Sequence, residues 1–85
     1  MSNFTKILSR ILQGNADHNF RFSEICLVLE RLGFQDRTKG SHHIFYREAV
    51  SEIINLQPLG GKAKPYQVKQ VRNLILKYKL TGEIK

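Results

Sequence analysis

Few side chains in this chain are chemically competent at neutral pH: three histidines, one cysteine, and carboxylates that show no paired spacing. His18 lies in the polar run Gly14-Asn15-Ala16-Asp17-His18-Asn19 and reads as an ordinary loop residue. Cys26 falls within the apolar pattern Ile25, Val28, Leu29, Leu32 and reads as a small core residue rather than a nucleophile. That leaves His42-His43. Adjacent strand residues point to opposite faces, so these two rings cannot chelate one metal side by side, and no Cys/His/Asp cluster with zinc spacing surrounds them. No metal and no cofactor is expected. What an imidazole offers here is proton transfer near neutral pH. Its setting is cationic: Lys39 and the Gly40-Ser41 turn precede the pair, Arg47 follows, and Lys62 and Lys64 could approach across the sheet. Metal-free cleavage of RNA needs a group to take the proton from a ribose 2′-hydroxyl and cations to stabilise the phosphorane that follows. Imidazole with Lys and Arg meets that need, and DNA, lacking the 2′-hydroxyl, would escape it.

A second candidate is Gly60-Gly61-Lys62-Ala63-Lys64-Pro65, at the start of a predicted helix. Free amides there, with two lysines beside them, form an anion-binding feature, although the spacing is not that of a Walker A loop. The equally available alternative is a structural loop-to-helix turn.

The elements that must position these residues follow from periodicity. Phe4, Ile7, Leu8, Ile11 and Leu12 recur at helical spacing over 4–12, with Asn3 as the expected cap. Residues 23–32 form a second helix, with Ser23 as cap, Glu24 at its positive end and Gly33 as its stop. A short strand is expected over 34–37 and a turn over 38–41. The aromatic and β-branched runs 42–47 and 52–56 form a hairpin. Val68, Val71, Leu74, Ile75 and Tyr78 mark a helix over about 66–79, whose other face carries Lys69, Arg72, Lys77 and Lys79. Helix, helix, strand, hairpin, helix is an α+β order, with a three-stranded antiparallel sheet buried on one face against helices.

The 85 residues suffice for one domain, too small to enclose a large cavity, so any site is expected at the surface. With 41% hydrophobic and 25% charged residues the chain should fold rather than remain disordered. The net charge of +7 is uneven. Residues 1–60 carry 7 basic and 6 acidic side chains, whereas 61–85 carry 7 basic side chains against Glu83 alone. So concentrated a basic segment is the footprint of a polyphosphate partner, or else a solvated face that keeps the protein soluble. The lone cysteine, the lack of an apolar signal core near the N-terminus and the lack of a membrane-length apolar run suggest a soluble, cytoplasmic protein.

At Lys39-Gly40-Ser41-His42-His43-Ile44-Phe45 the sequence resembles the HicA family of toxins, small ribonucleases of toxin–antitoxin modules. The helix ending in Leu32-Gly33-Phe34, the hairpin running into Ile53-Ile54-Asn55-Leu56-Gln57-Pro58 and the closing helix Tyr66-Gln67-Val68-Lys69-Gln70-Val71-Arg72 extend the likeness over about 22–80. The resemblance implies a fold like the double-stranded RNA-binding domain, metal-independent endoribonuclease activity on mRNA, and a HicB-type antitoxin that covers the active site. It also implies that the catalytic group is the histidine of the G-S-H element. That role carries over first to His42 and, because the next residue is also histidine, to His43 as the alternative. Lys39, Ser41, Arg47, Lys62, Lys64, Lys69 and Arg72 form the expected RNA-contacting set. Residues 1–21 stand outside the likeness as a helical extension that packs on the domain, binds the partner or forms a dimer, and 81–85 are expected to be a flexible tail. Two other classes compete: a non-catalytic RNA-binding module of the same fold, and a protein-interaction domain whose charge attracts an acidic partner.

Overall fold

A computed structural model of the protein describes residues 3–80, so the tail expected over 81–85 lies outside the described residues. Phe4, Ile7, Leu8 and Ile11 line one side of α1 (Asn3–Gln13) and are all buried. Asn3 is itself helical, so it is not the residue before the helix that a cap must be.

The second helix, α2 (Phe22–Arg31), starts earlier than expected, because Phe22 is buried and its N–H donates to the Gly61 carbonyl at 3.0 Å. Arg21 rather than Ser23 stands at the cap, and the Arg21 backbone N–H donates to Glu24 Oε1 at 2.8 Å. The stop at Gly33 is as expected. Gly33 has φ +95°, its N–H donates to the Glu30 carbonyl, and Phe34 N–H reaches back to Leu29, each at 3.0 Å. A side chain at Gly33 would be strained in that left-handed conformation.

The sheet comprises β1 (Gln35–Lys39), β2 (His42–Arg47) and β3 (Val50–Leu56), antiparallel in the order β1-β2-β3. Thr38 and Lys39, expected in a turn, belong to β1: pairing continues to Lys39 opposite His42, so Gly40 (φ +63°) and Ser41 alone make the connection. Likewise β3 begins at Val50, whose buried side chain pairs opposite Arg47 after a register shift between Phe45 and Arg47. The last helix, α3 (Pro65–Lys77), has Pro65 in its first turn and ends before Lys79, which is left-handed at φ +53° and therefore off the helix.

One face of the sheet, through Phe45, Ile54 and Leu56, shares a single core with Ile25, Val28 and Leu29 of α2 and Val68, Val71 and Ile75 of α3. The α1 helix lies against both α2 and α3 and adds its buried stripe to the same core. The result is α+β: a three-stranded antiparallel sheet packed against two helices, with an additional N-terminal helix. Among the described residues no helix is long and apolar enough to cross a membrane.

Arg72 holds the helical layer together. Its guanidinium donates to both carboxylate oxygens of Asp17, at 2.9 and 3.3 Å, and to the Ile11 carbonyl at 3.2 Å. Lys77 is also engaged, 2.7 Å from Glu52 Oε2, which accepts a further bond from the Tyr78 hydroxyl. These bonds hold the Glu52 carboxyl below its ordinary range, and the bond to Glu52 raises the Lys77 ammonium.

Candidate functional site

The β1–β2 turn, the end of β3 and the starts of α2 and α3 meet at one end of the molecule. Ser41 Oγ accepts a hydrogen bond from Gln57 Nε2 at 3.3 Å, just after β3. The Gln57 carbonyl in turn accepts from Gln67 Nε2 at 3.2 Å, and Gln67, in the first turn of α3, is buried. Its Oε1 takes the Lys64 N–H at 3.2 Å. On the other side Arg21 bridges to Lys62, and Ala63 N–H donates to the Phe20 carbonyl at 3.1 Å. A chain of amides thus links Ser41 to the helix start that carries Lys62 and Lys64.

The two histidines part as strand alternation requires, and the structure decides which faces where. His43 shares the helix-facing side with Phe45, which is fully buried. Its Nδ1 lies 3.2 Å from Asp36 Oδ2 and 3.3 Å from Thr38 Oγ1, while Thr38 donates to Asp36 Oδ1 at 3.1 Å. The ring meets Phe22 edge-on with centroids 4.9 Å apart, and 26% of the side chain stays exposed. His42 faces the other way, on the open side of the sheet, exposed and directly across the ladder from Lys39.

Lys39, Ser41, His42, His43, Lys62 and Lys64 therefore gather at one end. Arg47 does not: it is at the far end of β2, where its guanidinium lies beside Gly33. Lys69 is exposed along α3, and Arg72 is turned into the helical layer toward Asp17. In the Gly60–Pro65 stretch the amides of Lys62, Ala63 and Lys64 all donate within the protein. Lys62 and Lys64, their amides engaged, can therefore meet an anion through their side chains.

Asp36, Thr38 and Phe22 are the neighbours that sequence reasoning missed. The available signal was the i, i+2 spacing of Asp36 and Thr38, which puts both on His43's side once β1 is carried through to Lys39.

Among the described residues no three His, Cys, Asp or Glu side chains gather to hold a metal ion. Cys26 is a free cysteine whose thiol is pushed up to about 12, mainly by burial and further by the charges of Asp36 and Glu30. It is neutral at physiological pH. Folded protein at pH 7.5 is therefore expected to react with iodoacetamide far more slowly than the same protein in guanidinium chloride, since the thiolate is the nucleophile. Mass spectrometry of the time course checks this, and equal rates in the two conditions would refute it.

Comparison with known families finds that the family model described as the HicA toxin of bacterial toxin–antitoxin matches residues 22–78. That span runs from the start of α2 to just past α3 and leaves α1 outside. No curated protein and no solved structure gives a significant match.

Proposed function

This chain belongs to the HicA family of bacterial toxin–antitoxin toxins, and from that premise we propose that it is a metal-independent endoribonuclease that cleaves mRNA and is neutralised by a HicB-type antitoxin. The observation that carries the reading is His42, which follows Gly40-Ser41 within the matched span and stands exposed at the mouth of the β1–β2 hairpin.

His42 takes the proton from a ribose 2′-hydroxyl as that oxygen attacks the adjacent phosphorus. The O2′–P bond forms and the P–O5′ bond breaks. The imidazolium returns the proton to the leaving 5′-oxygen, so the products are a 2′,3′-cyclic phosphate and a 5′-hydroxyl. Lys39, opposite His42 in the ladder, stabilises the charge on the phosphorane. Ser41 accepts from Gln57, which leaves its own hydroxyl hydrogen for a phosphate oxygen. Lys62, Lys64, Lys69 and Arg47 add to the cationic field that attracts RNA, while Arg72 serves the fold through Asp17.

His43 is a positioning residue in this reading. Its bonds to Asp36 and Thr38 and its edge contact with Phe22 fix the strand start from which His42 projects. Residues 22–80 form the ribonuclease domain, and residues 1–21 supply the helix that completes its core.

Induced expression in a bacterial host tests the proposal. Growth arrest with a cleaved reporter mRNA is expected, and intact mRNA with unimpaired growth, from soluble folded protein, would move the assignment to a non-catalytic RNA-binding module.

A further inference from the structure

The helices cover only one face of the sheet. On the other, the outward positions pair across the strands as Lys39 with His42 and Arg37 with Ile44, with Tyr46 next along β2. Arg37, Ile44, Tyr46 and Ile53 line a shallow groove of about 390 Å³, and Ile53 is 64% exposed. Apolar and aromatic groups thus lie open to water on a surface whose charges are all positive. The six carboxylates within residues 3–80 lie elsewhere. Asp17, Glu24 and Glu30 belong to the helices and their link, Glu48 to the β2–β3 turn, Asp36 shares the helix-facing side with Phe45, and Glu52 reaches back to Lys77.

Resting on the ribonuclease reading above, we propose that this open sheet face is the substrate platform and that its substrate is unpaired RNA. One base stacks on Tyr46 beside Ile44 and Ile53, and Arg37 and Lys39 hold the phosphates that lead to His42. The chemistry is that of single-strand binding: an aromatic face for a base, with cations along the backbone. A duplex hides its base faces and leaves the half-buried Tyr46 ring and the exposed Ile53 without a partner. The Tyr46 hydroxyl donates to Gln35 Oε1 at 3.1 Å, which holds the ring, and the Arg37 guanidinium stands 6.0 Å from its centroid. Ile44 and His42 are the next two outward positions along β2, so a strand leaving Tyr46 reaches His42 after about 13 Å. The helical side is a poorer platform, because α1 covers it and both Arg72 and Lys77 are paired.

The test uses the full chain carrying His42→Ala, so that RNA is bound and not cut, with a fluorescein-labelled 12-nucleotide unpaired RNA and a hairpin duplex read by anisotropy. The unpaired RNA is expected to bind about tenfold tighter than the duplex, and Tyr46→Ala to weaken it about tenfold, the worth of one stacked base. Tyr46→Leu, which keeps an apolar side chain but no ring, is expected to behave like Tyr46→Ala. Lys6→Ala on α1 is expected to change affinity by less than about twofold. Unchanged affinity in folded Tyr46 variants, or tighter binding of the duplex, would overturn the proposal. So would a Tyr46 variant that binds RNA normally but escapes its antitoxin, since the face would then serve a protein. Wild-type protein that is folded yet neither binds nor cuts any RNA would instead defeat the ribonuclease reading itself.

Discussion

His42→Ala is expected to reduce RNA cleavage by about 10²–10⁴-fold, the usual contribution of a general acid–base group, and to abolish growth arrest. Its effect on stability should be small, within about 0.5 kcal/mol, because the side chain is exposed. His43→Ala should show the opposite balance. It removes the imidazole that lies against Asp36, Thr38 and Phe22, so the variant is expected to melt earlier and to keep a larger share of its activity. Parallel measurement of cleavage rate and thermal midpoint separates the two. Loss of activity confined to a stably folded His43→Ala, with His42→Ala active, would transfer the catalytic role to His43.

The second large effect concerns the helix outside the family match. Removing α1 exposes the core around Phe4, Ile7, Leu8 and Ile11, whose burial is worth about 6–12 kcal/mol in all at about 1.5–3 kcal/mol each. That matches the whole stability of a typical domain, about 5–15 kcal/mol. A chain beginning at residue 22 is therefore expected to show no cooperative thermal transition. The narrower test is Arg72→Met, which leaves Asp17 and the Ile11 carbonyl without the guanidinium that joins them. With both side chains more than four-fifths buried, the expected cost is about 2–3 kcal/mol, or a melting point about 10–20 °C lower. A sharp two-state transition in the truncated chain would make α1 an appendage instead.

Arg72 also marks where sequence reasoning stops. On a helical wheel it belongs with Lys69 and Lys77 as part of a basic face, and nothing local reveals that Asp17, 55 positions away, waits for it. The helices themselves were legible because their apolar positions recur at 3.6-residue spacing, and the stop at Gly33 was legible because a left-handed residue favours glycine. Helix starts were less so. The buried Phe22 and its bond to Gly61 begin α2 before the Ser23 that local capping preference favours. The histidine environment was hidden for a related reason: Thr38 and Lys39 look like turn residues until the ladder opposite His43 and His42 draws them into β1. Strand alternation did separate the two histidines in advance, and the buried Phe45 then decided which face each one took.

The most direct test of the central claim is cleavage of a defined RNA by the purified protein in EDTA, beside the same strand carrying a single 2′-deoxynucleotide at the cut site. Cleavage of the RNA to a 2′,3′-cyclic phosphate and a 5′-hydroxyl is expected, with no cut at the deoxy position. Cleavage at the deoxy position, or a product bearing a 5′-phosphate, would contradict that claim.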